Sequence, residues 1–177
     1  MDCKTNHLTF WGGLSLTEKD AFCEQIRRCD KAMYSLAFSI VRNEADAGAV
    51  ISEAIYRAYK NLNTLKNRKA FQPWILRIVH NTAVEMIRKN SKIIPIDEME
   101  DTVGEANEYD ITTRLALRDA VKSLKQPYRT VVILFYYENL SVTDIAQITD
   151  TSYITVKKQL SRARKMLREI LKEDCNG

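Results

Sequence analysis

Apolar positions recur at helical spacing along most of this chain. Between Thr17 and Arg42 they fall at Phe22, Ile26, Met33, Leu36, Ala37 and Ile40, which predicts one long helix, with Thr17 and Asp20 spaced as a capping box. Asn43 and Glu44 interrupt the pattern. Val50, Ala54 and Ala58, flanked by Ile51 and Ile55, predict a second helix from about Asp46 to Tyr59. The stretch Asn61 to Lys69 is polar and basic and reads as a loop. A third helix starts near Phe71, tolerates Pro73 in its first turn, and continues to about Lys89. Helical patterning lapses from Ile93 and resumes near Ile111, where Leu115, Leu117, Ala120, Val121 and Leu124 mark another helix. Pro127 opens the next, through Val131, Leu134 and Phe135 to Glu138. The run Val131–Tyr137 has the length of a buried strand, but no second strand is available to pair with it, so helix is the reading. Asn139-Leu140 is a turn, and Ser141 with Asp144 caps a short helix. Thr149-Asp150-Thr151 is a tight turn, and Ser152 caps a last helix reaching about Lys172. The predicted fold is all-α. It has an N-terminal extension (1–19), a helical block (20–92), a linker (93–110), a second helical block (111–172) and a short tail (173–177).

Composition narrows the class. With 45% apolar and 28% charged residues among 177, and only 5 Gly and 3 Pro, the chain is neither disordered throughout nor collagen-like. The longest unbroken apolar run, Val131 to Tyr137, is seven residues, whereas a membrane span needs roughly 20, so no membrane insertion is expected. No basic segment followed by an apolar stretch opens the chain, so no signal peptide is expected. Cys3, Cys23, Cys29 and Cys175 form no C-x-x-C pair, and the histidines are His7 and His80; no metal site or cofactor is expected, and reduced thiols in a cytoplasmic protein are the simplest reading. Phe10-Trp11-Gly12-Gly13 lies in a segment read as a frayed terminus.

Net charge is only +4, but it is unevenly placed. Between Ile93 and Thr113 there are seven acidic residues and no basic one. That composition suits a solvated spacer, or a negative strand able to lie in a cationic groove. From Tyr153 to Lys172 there are seven basic residues (Lys157, Lys158, Arg162, Arg164, Lys165, Arg168, Lys172) against one acidic, Glu169.

The segment Ser141 to Arg164 pairs a short capped helix, a tight turn and a longer helix, which is the helix-turn-helix shape. Val156, Leu160, Ala163, Leu167 and Ile170 mark the inner face of the long helix. Ile154, Lys158, Ser161, Arg162 and Lys165 lie opposite. A cationic outer face with hydroxyl and amide side chains at its N-terminal end (Ser152, Thr155, Gln159) suits phosphate contact together with base-edge reading. An isolated basic helix is usually just solvated; the preceding capped helix and turn favour DNA.

The third helix carries Arg77, Asn81, Glu85 and Arg88 at i, i+4, i+8 and i+11, a narrow polar stripe on an otherwise apolar helix. Trp74, Ile75, Ile78, Thr82 and Met86 are its expected buried side. Lys66, Arg68 and Lys69 in the preceding loop add a positive patch. Such a stripe can bond single-stranded bases and phosphates, or it can be a solvated edge; the helix alone leaves both open.

Taken together, the stretches W74-I-L-R77-I-V-H-N81-T-A83-V-E85-M-I-R88-K89 and L140-S141-V-T-D-I145-A146, T155-V156-K157, L160-S-R162-A163-R164 resemble the bacterial sigma factors of the extracytoplasmic-function group. The resemblance covers residues 20–172. It implies a promoter-specificity subunit whose partners are the β′ and β subunits of RNA polymerase core, promoter DNA and an anti-sigma factor. The first block would read the −10 element and help melt it through Lys66, Arg68, Lys69, Arg77, Asn81, Glu85 and Arg88, with the loop Asn61–Phe71 holding a flipped base. The last helix would read the −35 element through Ser152, Ile154, Thr155, Lys157, Lys158, Gln159, Arg162 and Lys165. Core polymerase would bind Asp46, Ala49 and Glu53. Where relatives carry an acidic run, this chain has D46-A-G48-A49-V-I-S52-E53, with fewer charges. Ile154, Lys158 and Gln159 also depart from the family's usual recognition helix, and Asp150 stands where a turn Gly is usual. The competing reading is an autonomous helix-turn-helix regulator, which would have no use for the first block. An enzyme is not expected, since no catalytic constellation is present.

Overall fold

The computed structural model describes residues 16–90 and 111–174. The Phe10-Trp11 segment and the acidic stretch 93–110 lie outside the described residues, whereas Thr17, expected to cap the first helix, already lies within it, since that helix begins at Leu16. The helices are α1 (Leu16–Val41), α2 (Glu44–Lys60), α3 (Phe71–Asn90), α4 (Ile111–Ser123), α5 (Tyr128–Val132), α6 (Val142–Ile148) and α7 (Tyr153–Asp174).

The first block packs α1, α2 and α3 against one another. Asn43, which interrupts the apolar pattern, does so because it is the N-cap of α2: its Oδ1 accepts the Asp46 N–H at 3.0 Å. The buried face of α2 is built from small residues, Ala47, Val50, Ala54 and Ala58, so its neighbours approach closely. Phe22 of α1 meets Tyr59 and Phe71 edge-on at 5.7 and 6.0 Å between ring centroids, and Trp74 follows at 5.6 Å from Phe71. Trp74 is therefore the half-buried edge of an aromatic cluster in which Phe22 and Phe71 are buried.

The second block sets α7 against α4, α5 and α6. The run Val131–Tyr137 is helical, but only its start is α: Ile133–Tyr137 is a π-helical turn, closed by the Glu138 N–H on the Ile133 carbonyl at 3.1 Å. The wider turn shifts the register by one residue and leaves Tyr136 and Tyr137 exposed. Asn139 then reverses the chain at φ 52°, a left-handed conformation that Asn tolerates.

The structure differs from the sequence reading most in how the blocks relate. Periodicity separates them; packing joins them. One buried cluster runs from Met33, Leu36, Ile75, Leu76 and Val79 into Leu134, Leu140, Ile145 and Ile148. Helix α3 packs on α6, and α1 on α5 and the π turn. This explains why α3 is buried more widely than its expected face: Leu76, Val79 and Ala83 are as enclosed as Ile75 and Thr82. Across the seam, Gln126 Nε2 donates to the Ser39 carbonyl at 2.8 Å, and Thr130 Oγ1 donates to Gln126 Oε1 at 2.8 Å.

Cys29 of α1 is buried at this seam. Burial, with the Glu138 charge as a lesser cause, holds its thiol above the usual range. Burial also raises the Glu138 carboxyl above the ordinary carboxylate value. Its ionised form is thus disfavoured in the fold, a destabilisation present at neutral pH and absent once pH falls below the unfolded pKa. Glu138→Gln should raise Tm at pH 7 and leave it unchanged near pH 3, as calorimetry can check. Solvent screening keeps the gain below about 1 kcal/mol, or roughly 2–4 °C for a chain of this size.

Candidate nucleic-acid interface

The helix-turn-helix is built by local chemistry. Ser141 Oγ accepts the Asp144 N–H at 3.1 Å and donates to Asp144 Oδ2 at 2.6 Å, so α6 starts where the sequence places it. The turn closes with the Thr151 N–H on the Ala146 carbonyl at 3.0 Å and Asp150 at φ 51°. Ser152 Oγ accepts the Thr155 N–H at 3.1 Å and caps α7. Val156, Leu160 and Ala163 are buried, and Leu167 and Ile170 half-buried. Ile154, Lys158, Ser161, Arg162 and Lys165 are exposed on the opposite side, with Lys157 beside them. Lys157 Nζ rests 5.6 Å over the exposed Tyr153 ring, and Lys165 lies 3.9 Å from Glu169.

Gln159 is placed differently from the sequence expectation. It flanks the inner face, is half-buried, and its Oε1 is buried without a hydrogen-bond partner. Its position, three residues after Val156 and four before Ala163, carries it toward the core rather than the outer face.

In the first block, Arg77, Asn81 and Arg88 are exposed along α3. Arg77 Nη2 lies 3.9 Å from Asp150 Oδ1, and Asn81 Oδ1 lies 3.4 Å from His80 Nδ1. Burial lowers the His80 pKa, opposed by the Asn81 contact and then by the Asp150 charge. Glu85 is not a free acceptor. Its Oε2 takes a hydrogen bond from Arg57 Nη1 at 2.9 Å, while Arg57 Nε donates to Glu53 Oε1 at 2.7 Å. One guanidinium thus ties Glu53, expected at the polymerase face, to Glu85, expected at the DNA stripe. The two carboxylates raise the Arg57 pKa further. Sequence reasoning missed Arg57: its i,i+4 spacing from Glu53 was visible, but Glu85 lies 28 positions away.

Lys66, Arg68 and Lys69 are exposed in the loop between α2 and α3, where Asn67 Oδ1 accepts the Lys69 N–H at 3.0 Å. This loop walls a cavity of about 270 Å³ whose other side is α1, with Phe22, Gln25, Leu65, Arg68 and Phe71 among its lining. On α2, Ala49 and Glu53 are exposed and Asp46 half-exposed along one face. Among the described residues, no helix is long and apolar enough to cross a membrane.

A capped helix-turn-helix with a cationic outer face, joined to a second helix bearing a polar stripe, defines a DNA-binding transcription protein. Residues 25–93 match the family described as Sigma-70 region 2, and residues 114–167 match Sigma-70, region 4. The chain is 35% identical over 149 residues to RNA polymerase sigma factor SigV of Bacillus subtilis (strain 168), covering 81% of this chain and 87% of that protein. It is 30% identical over 171 residues to ECF RNA polymerase sigma factor SigW of the same organism, covering 88% and 91%. In fold it resembles the sigma factor RpoE solved in complex with the anti-sigma factor NepR from Bartonella quintana, with a TM-score of 0.71, 21% identity, and 86% and 98% of the two chains covered. This protein belongs to the sigma-70 family of RNA polymerase sigma factors, in the extracytoplasmic-function group. These are transcription initiation factors, not enzymes.

Proposed function

We propose that this sigma factor binds RNA polymerase core, through its β′ and β subunits, and places it on promoters that carry matched −10 and −35 elements. The observation that carries this reading is the pairing, on one chain, of an exposed cationic recognition helix with the exposed Arg77/Asn81/Arg88 stripe. Helix α7 reads the −35 element in the major groove, with Lys158 and Ile154 near the N-terminal end reaching base edges and Arg162 and Lys165 meeting phosphate. The stripe and the loop Asn61–Phe71 engage the −10 element. The cavity beside that loop, with Arg68 and the Phe22 and Phe71 rings in its lining, suits a single flipped base. Glu85 acts by holding Arg57 rather than by touching DNA, and Gln159 supports the helix rather than reading sequence. An anti-sigma factor is proposed as a partner, and a protein working on the polymerase is placed in the cytoplasm with it.

Run-off transcription with core enzyme over a promoter library tests this reading. Transcripts that require both elements support it. Sequence-specific binding to duplex DNA that core polymerase neither strengthens nor converts into transcription would instead favour an autonomous regulator.

The polymerase-facing surface gives a further expectation. Ala49 is exposed between Asp46 and Glu53 on the surface of α2. Ala49→Asp should therefore fit without strain and add a third carboxylate to this face. Core binding should tighten roughly two- to fivefold at low salt and less at high salt, because an added surface charge contributes at most about 1 kcal/mol and is screened. Competition against a second sigma factor for limiting core, at two salt concentrations, measures it. Unchanged competition by a folded variant would mean that Ala49 does not face the polymerase.

A further inference from the structure

A carboxylate stands in the middle of a surface read as meeting a polyanion. Asn81, Glu85 and Arg88 share one face of α3 at i, i+4 and i+7, so Glu85 neighbours both side chains offered to the −10 element. A carboxylate left to itself there would repel DNA phosphate. Glu85 is not left to itself. Arg57 Nη1, on α2, donates to Glu85 Oε2 at 2.9 Å, and Arg57 Nε donates to Glu53 Oε1 at 2.7 Å.

The bridge has a direction. Glu53 lies four residues before Arg57 on the same helix, the favourable order for such a pair, and it takes one edge of the guanidinium while another edge reaches α3. The planar fork serves two carboxylates through different nitrogens at once, with a geometry that a lysine ammonium does not impose. The Arg57 side chain is 34% exposed, against 47% for Glu53 and 46% for Glu85, so water reaches both carboxylates and the ion pairs add little to stability. What the bridge fixes is where the Glu85 charge points.

We propose that Arg57 is a positioning residue for −10 engagement: its guanidinium, held by Glu53, draws the Glu85 carboxylate toward α2 and away from DNA phosphate, and offsets its charge beside Asn81 and Arg88. This rests on the reading above, in which the α3 stripe faces the −10 element. Arg57 needs no contact with DNA for this role; it acts through Glu85.

The test uses holoenzyme assembled with saturating core polymerase. The probe is a fluorescein-labelled single-stranded oligonucleotide carrying the −10 sequence that the promoter library selects. Arg57→Ala releases Glu85 and should weaken oligonucleotide binding about three- to fivefold at roughly 0.05 M salt and less than about twofold at roughly 0.5 M, because repulsion between exposed charges is small and screened. Adding Glu85→Gln to Arg57→Ala should restore the original affinity. Adding Glu53→Gln instead gives the same net charge but leaves Glu85 released, and should not restore it. Arg57→Gln, which keeps part of the stem, carries the same comparison should the alanine variant not fold. Unchanged affinity on losing the guanidinium would overturn the proposal. So would a pair with Glu85→Gln that binds as weakly as the single variant, which marks a purely structural tie, or equal rescue by both second changes, which marks net charge alone. Unmodified holoenzyme that binds the selected and a scrambled oligonucleotide equally would instead remove the −10 reading of α3, and this proposal with it.

Discussion

Transcription from duplex promoters should fall roughly fivefold with Asn81→Ala and ten- to a hundredfold with Arg88→Ala, while transcription from a pre-opened bubble falls far less. Both side chains lie on the exposed side of α3, and alanine is a strong helix former, so the fold should persist. Extruding a base costs a few kcal/mol that protein contacts must offset. A neutral hydrogen bond returns about 1 kcal/mol of this and one involving a charged group about 1.5–3 kcal/mol, which sets the expected ranking. Circular dichroism checks the helix, and run-off assays on paired duplex and bubble templates check the role. Equal loss on both templates for Asn81→Ala would remove that side chain from the melting step.

The largest effect is expected on α7. Changing Lys158, Arg162 and Lys165 together to Ala should lower affinity for the upstream element by several hundredfold at about 0.1 M salt. The two lost phosphate contacts, Arg162 and Lys165, reduce the slope of log affinity against log salt by about 1.8 and contribute roughly 0.9 decades each at that concentration, and the lost Lys158 base contact adds roughly 1–3 kcal/mol. These residues share one exposed face at i, i+4 and i+7, opposite the buried Val156, Leu160 and Ala163, so the fold should be spared. Lys165→Ala alone should weaken all sequences alike, whereas Lys158→Ala should also change preference. Salt titrations of binding to matched and scrambled duplexes separate the two. A slope unchanged in the triple variant would mean that this face does not meet phosphate.

Much of this was legible because it is local. Capping depends on a hydroxyl and an amide three residues apart, so Ser141, Ser152 and the helices they start could be placed from the chain alone. Glu138 and the π turn were less legible. A seven-residue apolar run fits several backbone paths, and the wider turn is chosen by which residues the two blocks must bury. Gln159 illustrates the same limit at one position. Amide chemistry near a recognition-helix N-terminus suggests base reading, but a residue at the edge of the inner stripe turns either way, and packing leaves Gln159 half-buried.

The sequence by itself determined the helices, the helix-turn-helix, the cationic face of α7 and the stripe on α3, because helical periodicity, caps and charge placement act within a few residues along the chain. Only the tertiary structure decided that Arg57 binds Glu53 and Glu85 together, that Arg77 meets Asp150, and that the two blocks share one buried cluster. Those contacts join residues far apart in the chain, where no spacing rule applies. They follow from the burial of apolar surface that each block, read alone, leaves uncovered.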